Sequence, residues 1–257
     1  NNSFSICQKG KPIYIRSLMA YQYYDCIVTD VVDETPGVKR FFIRYPDEVE
    51  LKFKPGQFIM LDLPIESKIT NRSYSIASPP GKDNSLELLI VLNPMGLGTP
   101  YLFNHIHPGS PIKSTLAIGK FSLPETLDRD IMFICTGTGI APFRSMILDT
   151  IRNNKPFKRM SLVMGVRHEA DLMYRREMEE LAKQVPNFEY IPVLSRATPE
   201  TWSGRTGYVH QVYRERFNGP TDTLFYLCGW NAMLKEARES LQQIVSDRKQ
   251  IKFESYD

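Results

Sequence analysis

The sequence is poor in features that would place it outside the ordinary globular class. None of its four cysteines forms a C-x-x-C pair, which disfavours an iron–sulfur or zinc site built from this chain alone. Their spacing gives no disulfide framework, which fits a reducing, cytoplasmic compartment. No apolar run approaches the ~20 residues of a membrane span. The start lacks both Met and a signal-peptide layout, so an organellar location after removal of a leader stays open.

Excess charge of one sign is also scarce. Thirty-two Lys and Arg stand against 29 Asp and Glu, and the net charge of +3 is spread along the chain. This balance gives no argument for a nucleic-acid partner. The 257 residues are 42% hydrophobic and 24% charged, as in soluble globular proteins. We find no internal repeat, and the length suggests one large domain or two ordinary ones.

The first half of the chain has the pattern of β-structure. Short runs rich in β-branched and aromatic residues are separated by turn clusters such as TPG at 35–37, KPG at 54–56 and SPPG at 78–81. The pattern predicts strands over Tyr24–Val32, Lys39–Tyr45, Gln57–Leu63, Arg72–Ile76 and Leu86–Leu92. Strands at this spacing favour an antiparallel barrel. We assign residues 1–127 to this domain, and expect six strands.

After Pro124, apolar strands alternate with helical periodicity. Strands are predicted over Asp130–Cys135, Met160–Met164, Phe188–Leu194, Thr223–Cys228 and Ile251–Phe253. Helices are predicted from Phe143 to Ile151, over Leu172–Lys183, and from Met233 to Val245. This alternation indicates an α/β domain over residues 128–257, with a parallel sheet covered on both faces. Ligands of such sheets lie beyond the carboxyl ends of the strands.

The most specific local signal is CTGTGIAPFR at residues 135–144. It follows an apolar strand and opens a helix, with Pro142 near the first turn. Gly137 and Gly139 would let backbone amides approach a diphosphate, and the helix N-terminus adds positive potential. A lone G-x-G is often an ordinary strand–helix turn, but the full string is far more specific.

A second signal is RSYS at residues 72–75, on a strand that follows PGQF at 55–58. Arg72 and Tyr74 lie on one strand face, where the guanidinium can hold a phosphate while the ring covers a flat heterocycle. Ser75 could then hydrogen-bond the edge of that heterocycle. The alternative is a surface strand with an exposed arginine.

The two motifs, barrel first and nucleotide fold second, resemble the ferredoxin–NADP(+) reductase superfamily from about Tyr24 to Tyr256. Other strings fit the resemblance: GLGT at 96–99, GV at 165–166, LMY at 172–174, YLCGW at 226–230 with Met233, and ESY at 254–256. The resemblance implies a flavoenzyme of two domains, in which the redox chemistry belongs to the flavin and the nicotinamide.

The resemblance implies that the first domain binds FAD. Arg72 would bind the diphosphate, Tyr74 would pack on one face of the isoalloxazine, and Ser75 would hydrogen-bond near flavin N5. Gly98 and Thr99 would form a second loop that binds the flavin phosphates. The alternative is that Gly96–Thr99 is only a tight turn between barrel elements. Because two elements could serve two phosphates, FAD is favoured over FMN. The flavin site would also include Ser73, Leu89 and Val91.

The resemblance also assigns the nicotinamide site. The nucleotide diphosphate would be held by Gly137, Thr138, Gly139 and Pro142, with Gly229 nearby. Cys228 and Glu254 would place nicotinamide C4 against flavin N5. Tyr256 would cover the second flavin face and yield to the nicotinamide. Asp257 follows Tyr256, whereas plant-type members end on the aromatic residue, and its carboxylate could alter the stacking.

NADP(H) is favoured over NAD(H). Ser195 and Arg196 follow the third strand of the second domain, where they could clamp a 2′-phosphate, although a solvated turn is the alternative for Arg196. Arg205 and Tyr208 could add charge or stack on the adenine. The counter-signal is W-x-G-x-x-G-Y-V at 202–209, which resembles NADH-using reductases of oxygenase systems.

The remaining polar residues predict no metal site. His105 and His107 could chelate a metal if they lay in a strand, but a structural role is favoured. His168 and His210 are predicted to be solvated, and the cysteines Cys7, Cys26 and Cys135 to be packing residues or surface thiols.

A short basic cluster, made of Arg152, Lys155, Lys158 and Arg159, has two interpretations. It complements a helix dipole and aids solubility, or it forms part of a docking face for an acidic carrier.

The leading hypothesis is an FAD-dependent NADPH reductase that exchanges single electrons with ferredoxin or flavodoxin. The alternatives are the NADH-dependent reductase component of an oxygenase, a free-flavin or metal-chelate reductase, and an electron-delivery subunit of a larger complex. The sequence gives neither the acceptor, the physiological direction nor the oligomeric state.

Overall fold

A computed structural model describes residues 7–8, 11–12, 21–65, 68–198 and 200–256. Asp257 and its expected effect on stacking lie outside these residues. Cys7–Gln8 and Lys11–Pro12 form a small antiparallel pair. The rest of the described chain is built on two six-stranded sheets, one antiparallel and one parallel. Both sheet types were predicted, but the two-residue strand Arg205–Thr206 of the parallel sheet was not. The division into residues 1–127 and 128–257 stays a prediction.

The first sheet is a closed barrel. Its strands are β1 (Tyr23–Thr35), β2 (Val38–Arg44), β3 (Phe58–Ile65), β4 (Lys68–Ser75), β5 (Ser85–Val91) and β6 (Pro111–Thr115). Their order is β4-β3-β6-β1-β2-β5, and all neighbours are antiparallel. A bridge between Ile76 and Leu88 joins the two ends of the sheet. Alternate side chains fill the interior, where Ile43, Ile59 and Leu61 are almost fully buried.

Two elements of the barrel domain were missed from the sequence. Strand β6 carries a proline and a lysine in five residues, so its composition is a weak strand signal. Helix α1 (Gly98–His105) starts inside the predicted Gly96–Thr99 loop. His105 therefore ends a helix and contacts the ring of Tyr101, so the alternative of a strand that chelates a metal is wrong. Among the described residues, no group of three metal-ligating side chains is found.

The second sheet is parallel and carries helices on both faces. Its strands are β7 (Leu127–Thr136), β8 (Phe157–Val166), β9 (Phe188–Leu194), β10 (Arg205–Thr206), β11 (Leu224–Gly229) and β12 (Ile251–Ser255). Their order is β10-β9-β8-β7-β11-β12. Helices α2 (Ile140–Arg152) and α3 (Arg175–Gln184) pack in one apolar cluster, and α4 (Val209–Arg216) and α5 (Asn231–Leu241) in another. In the described part of the chain, no helix is long and apolar enough to cross a membrane.

Three expectations for this domain need correction. Residues 172–174 precede α3 and are not part of it. The left-handed backbone of Tyr174 is incompatible with an α-helix, so the helix begins at Arg175. Helix α5 ends at Leu241, before the predicted Val245. His210 is buried, not solvated, because it lies in the unpredicted helix α4. Its ring contacts Tyr213 Oη at 2.8 Å and Glu236 Oε2 at 3.3 Å.

The two domains share a buried apolar interface. Val38, Leu89 and Phe121 of the barrel domain belong to the same cluster as Phe143 of α2. The ring of Phe121 lies 6.0 Å from that of Phe143 and 5.6 Å from that of Tyr226. Buried apolar area of this kind holds the domains together, so helix α2 has a defined position against the barrel.

Candidate functional site

The end of strand β4 carries the predicted flavin motif. Arg72 and Ser73 are exposed, Tyr74 is half-buried and Ser75 is buried. Tyr74 of β4 lies opposite Ile59 of β3 in the antiparallel pair. Burial raises the pKa of Tyr74 to about 12, although the nearby charge of Arg72 opposes the rise. The Tyr74 hydroxyl is therefore neutral at physiological pH. The exposed guanidinium of Arg72 donates to Asn71 O at 2.8 Å through Nη1 and has further donors for an anion.

Arg72 meets the start of helix α1. A Cβ atom on Gly98 would lie 3.0 Å from Arg72 Cγ and 3.2 Å from its Nε, so the glycine lets the arginine cross the helix N-terminus closely. Thr99 Oγ1 accepts a hydrogen bond from Asn93 N at 2.8 Å and donates one to Asn93 O at 3.3 Å. Thr99 thus closes the preceding turn. The arrangement joins a guanidinium and free helix-terminal amides, which together suit phosphate.

The glycine motif of the second domain forms the turn between β7 and α2. Gly137–Gly139 is a single helical turn that leads directly into Ile140. A Cβ atom on Gly139 would lie 2.3 Å from the carbonyl oxygen of Cys228, so the turn rests on the end of β11. Gly137 has a φ of 55°. Thr138 stands between the two glycines, and Pro142 is buried in the first turn of α2.

One hydrogen bond joins the two motifs across the domains. Ser75 Oγ donates to Glu254 Oε2 at 3.2 Å. Glu254 pairs in register with Cys228 across β12 and β11. The contacts therefore run without a break from Ser75 through Glu254 and Cys228 to Gly139. The two predicted motifs therefore meet at one place between the domains, which we call the crevice.

The acidic and thiol groups of this crevice are shielded from water. Burial raises the pKa of Glu254, and the hydrogen bond from Ser75 opposes the rise only in part. Burial, followed by the charge of Glu254, raises the pKa of the Cys228 thiol well above its ordinary value. Cys228 is therefore a neutral thiol at physiological pH, and Glu254 holds a proton more readily than a carboxyl group in water.

Tyr256 lies at the end of the crevice. Its backbone N–H donates to Gly229 O at 3.4 Å, which holds the tail against β11. Its hydroxyl group is buried close to Ser75 and Cys228, without a hydrogen bond of ordinary geometry among the described residues.

The residues predicted to bind a 2′-phosphate lie towards the β10 edge of the parallel sheet, on the other side of β7 from β11 and β12. Ser195 follows β9, and its Oγ donates to Val166 O at 3.3 Å. Arg196 is exposed and makes no ion pair in the described ranges. Arg205 is held by Glu215 at 2.5 Å, so its charge is partly compensated. Tyr208 is 68% exposed and free to stack on a ligand.

Other predicted residues fall around the crevice. Strand β5, with buried Leu89 and exposed Val91, approaches the Gly137–Gly139 turn. Sequence reasoning missed Thr136, whose Oγ1 accepts a hydrogen bond from Trp230 N at 3.3 Å next to Gly229. Trp230 is 64% exposed at the start of α5. The string CGW carries this tryptophan, but nothing in the sequence shows that its ring is uncovered.

Comparison with known families matches each half of the chain. The family described as "Oxidoreductase FAD-binding domain" matches residues 25–123. The family described as "Oxidoreductase NAD-binding domain" matches residues 133–239. The two matches follow the order of the barrel and the parallel-sheet domain.

Two curated relatives illustrate the range of similar proteins. Ferredoxin–NADP reductase B of Sorangium cellulosum is 31% identical over 230 residues, which cover 87% of this chain and 93% of that protein. The phenol 2-monooxygenase reductase component DmpP of a Pseudomonas species is 31% identical over 223 residues. That match covers 86% of this chain but only 62% of DmpP, so the chain spans less than two thirds of the oxygenase reductase.

Solved structures share the whole fold. The Amycolatopsis cytochrome P450 reductase GcoB has a TM-score of 0.81 and 25% identity, over 91% of this chain and 69% of that one. A Neisseria gonorrhoeae ferredoxin NADP+ reductase with bound FAD and NADP has a TM-score of 0.76 and 26% identity. The match covers 91% of this chain and 98% of that one. The chain belongs to the ferredoxin reductase-like superfamily of FAD- and pyridine-nucleotide-binding oxidoreductases.

Proposed function

We propose that this protein oxidises NADPH with a bound FAD and passes the electrons singly to a ferredoxin- or flavodoxin-type carrier. The observation that supports this function most is the contact between the two domains at Ser75 and Glu254. It supports one shared crevice for the flavin-type motif and the nucleotide-type motif. Reaction between two bound rings requires their reacting atoms at ~3–3.5 Å, and only a shared crevice allows that.

The residues present fit a flavin dinucleotide. Arg72 and the start of α1, opened by Gly98, supply donors for a diphosphate, and half-buried Tyr74 supplies a ring face. The buried hydroxyl of Tyr256, close to Ser75 and Cys228, supplies a further polar group at the crevice. When bound, the flavin supplies a centre that accepts a hydride and releases two single electrons.

The groups of the crevice bind the nucleotide, exclude water and hold a proton. The Gly137–Gly139 turn presents its amides to the nucleotide diphosphate. The thiol of Cys228, neutral because of burial, forms an uncharged wall that excludes water. Glu254 Oε2 accepts the hydrogen bond from Ser75 Oγ, and the raised pKa of Glu254 lets this carboxyl group hold a proton close to the reacting atoms. Ser75 links that carboxyl group to the flavin side of the crevice.

The preference for NADPH rests on Arg196. This side chain is exposed beside Ser195 at the carboxyl end of the sheet, where a ligand phosphate would find it unpaired within the described chain. NADH is the second candidate, because Arg205 is already held by Glu215. The similarity to a phenol 2-monooxygenase reductase component supports that alternative and an oxygenase partner.

The basic cluster contributes less to docking than its sequence suggests. Arg152 pairs with Glu177, Lys155 with Asp149 and Lys158 with Asp130. Since three of its four charges are compensated and only Arg159 makes no ion pair with the described residues, the cluster offers an acidic carrier less net attraction than its sequence suggests. The carrier stays a proposal, as does a cytoplasmic location.

The function is tested by anaerobic reduction of the FAD-loaded protein with NADPH and with NADH, followed by separate additions of ferredoxin and flavodoxin. We expect faster reduction by NADPH, and cytochrome c reduction only when a carrier is present. Equal kinetics with both nucleotides would refute the NADPH preference. Reduction of free flavin at the same rate as of bound flavin would favour a free-flavin reductase.

A further inference from the structure

A buried ionic network crosses the interface between the domains and uses none of the residues assigned to the reaction. At its centre is Arg144 of α2, which is 6% exposed. Its Nη1 donates to Glu87 Oε2 at 3.0 Å and to Ala77 O at 2.9 Å, both in the barrel. Its Nε and Nη2 donate to the two carboxylate oxygens of Glu177 in α3, at 2.5 and 3.2 Å.

Glu87 is the acceptor that gathers the network on the barrel side. It is 4% exposed, and it also accepts hydrogen bonds from Arg40 Nε at 2.6 Å and Tyr174 Oη at 2.7 Å. Burial alone would raise the pKa of Glu87, but the bond from Arg40 and the charge of Arg144 outweigh it and lower that pKa. The carboxylate is therefore ionised, and its oxygens have defined donors from both domains.

Tyr174 is clamped in the same network. The guanidinium of Arg144 lies 4.1 Å from the centre of its ring. Its backbone N–H donates to Glu34 of the barrel at 2.5 Å, and its φ is +52°. A tyrosine takes this left-handed conformation only where surrounding contacts impose it, so the network defines the backbone as well as the side chains.

The network connects directly to both sides of the crevice. Arg144 lies in the helix that the Gly137–Gly139 turn begins. Ala77, whose carbonyl it binds, follows Ser75 by two residues on the same chain segment. Ser145 Oγ reinforces the link by donating to Ser78 O at 2.7 Å. One guanidinium therefore joins the nucleotide turn to the strand end that carries Ser75.

We propose that Arg144 is a positioning residue, which aligns the two halves of the crevice through Glu87 and the carbonyl of Ala77. A buried ion pair often adds little net stability compared with an apolar pair of equal size, yet its directional bonds allow one arrangement only. Arg144 has no assigned contact with the flavin or the nicotinamide. It sets where the nucleotide turn lies relative to Ser75. The inference rests on the proposed reduction of flavin by nucleotide at this crevice.

The first test compares Arg144→Lys and Arg144→Met with the matched control Arg216→Met. Arg216 also forms a charged fork, to Glu189 at 2.7 Å and Ser161 at 2.9 Å, but both partners lie in its own domain. We expect both Arg144 variants to slow flavin reduction at saturating NADPH by about 10- to 100-fold, as misplacements near 1 Å do. The Kd for NADPH should change less than about threefold, and Arg216→Met should be reduced at the wild-type rate. Equal slowing in Arg216→Met would overturn the proposal.

A double variant separates positioning from stability. Arg144→Met combined with Glu177→Met replaces the interhelical pair by apolar side chains and leaves Glu87 bonded to Arg40 and Tyr174, which should bring the free energy of unfolding back towards the wild-type value. If Arg144 acts by positioning, flavin reduction stays slow, and the long-wavelength absorbance of stacked nicotinamide and flavin stays weak. Recovery of the rate together with stability would overturn the proposal.

Amide hydrogen exchange provides a readout that needs neither flavin nor activity. In Arg144→Met, the amides of Ala77 and Glu87, which bond to Glu87 O and Ser78 Oγ, should exchange faster than in the wild type. They should be unchanged in Arg216→Met. If nucleotide fails to reduce the wild-type protein, the proposed function falls, and the exchange rates still decide the positioning role. Unchanged exchange in Arg144→Met would overturn it.

Discussion

The contact between the glycine turn and strand β11 yields the sharpest prediction. In Gly139→Ala, the new Cβ atom would lie 2.3 Å from the carbonyl oxygen of Cys228 and 2.7 Å from its carbonyl carbon. Both are main-chain atoms, so no side chain can rotate away. Because real Cβ contacts essentially never fall below 3.0 Å, turn and strand must separate by at least 0.7 Å, which is 3.0 minus 2.3.

The magnitude follows from that displacement. The turn holds the nucleotide diphosphate in the proposed site, while Cys228 lines the place of the nicotinamide. A misplacement of ~1 Å costs about 10²-fold in rate, so we expect Gly139→Ala to lose about 10- to 100-fold in flavin reduction at saturating NADPH. Overpacking should also lower the free energy of unfolding by about 1–3 kcal/mol.

The assay is anaerobic stopped-flow reduction of the FAD-loaded variant, beside Gly219→Ala as the control. A Cβ atom on Gly219 meets no atom within 4 Å, so this variant should match the wild type. FAD uptake by Gly139→Ala should also be normal, because Arg72 and Gly98 lie in the other domain. If Gly139→Ala is reduced at the wild-type rate, the contact between turn and strand does not position the nucleotide.

Three further predictions concern other groups of the site. Arg196→Ala should raise the KM for NADPH by about one to two orders of magnitude, since a lost charged contact is worth ~1.5–3 kcal/mol, and should leave the KM for NADH unchanged. Equal effects on the two KM values in steady-state assays would contradict the phosphate role of Arg196. Burial raises the pKa of Glu254 in the folded protein above its value in the unfolded chain. Ionised Glu254 therefore destabilises the folded state, and this loss of stability is absent below the unfolded-state pKa and grows as pH rises towards the folded-state pKa. Urea unfolding should therefore show Glu254→Gln gaining stability over the wild type at pH 8 relative to pH 4, and a constant difference would refute the shift. Since Cys26, Cys135 and Cys228 are buried with raised pKa values, a thiol reagent should modify them slowly in the native protein and rapidly in urea; fast native labelling of Cys228, located by mass spectrometry, would show that the crevice is open.

The architecture was predictable because its signals are local. β-Branched runs between proline–glycine turns identify five barrel strands, and the periodicity after Pro124 identifies the parallel sheet. Strand β6 and helix α1 were missed because a five-residue strand with a proline and an eight-residue helix have weak patterns. Tertiary packing, not local preference, determines both elements.

The candidate site was predictable as two motifs but not as one crevice. Ser75 and Glu254 are 179 positions apart, and no spacing in the sequence shows that they form a hydrogen bond. Arg144 stands inside the quoted glycine motif, yet its role depends on Glu87, which looks like any polar strand residue. His210 was predicted to be solvated for the same reason, since burial by a neighbouring helix leaves no mark on one residue.

The central claim is that one crevice holds a flavin on the barrel side and a pyridine nucleotide on the other. The most direct measurement is the absorption spectrum of the protein after FAD addition and gel filtration, followed by anaerobic titration with NADPH. The account predicts a yellow protein that retains FAD and is bleached by one equivalent of nucleotide. A colourless protein, or a yellow one that neither NADPH nor NADH bleaches, would contradict it.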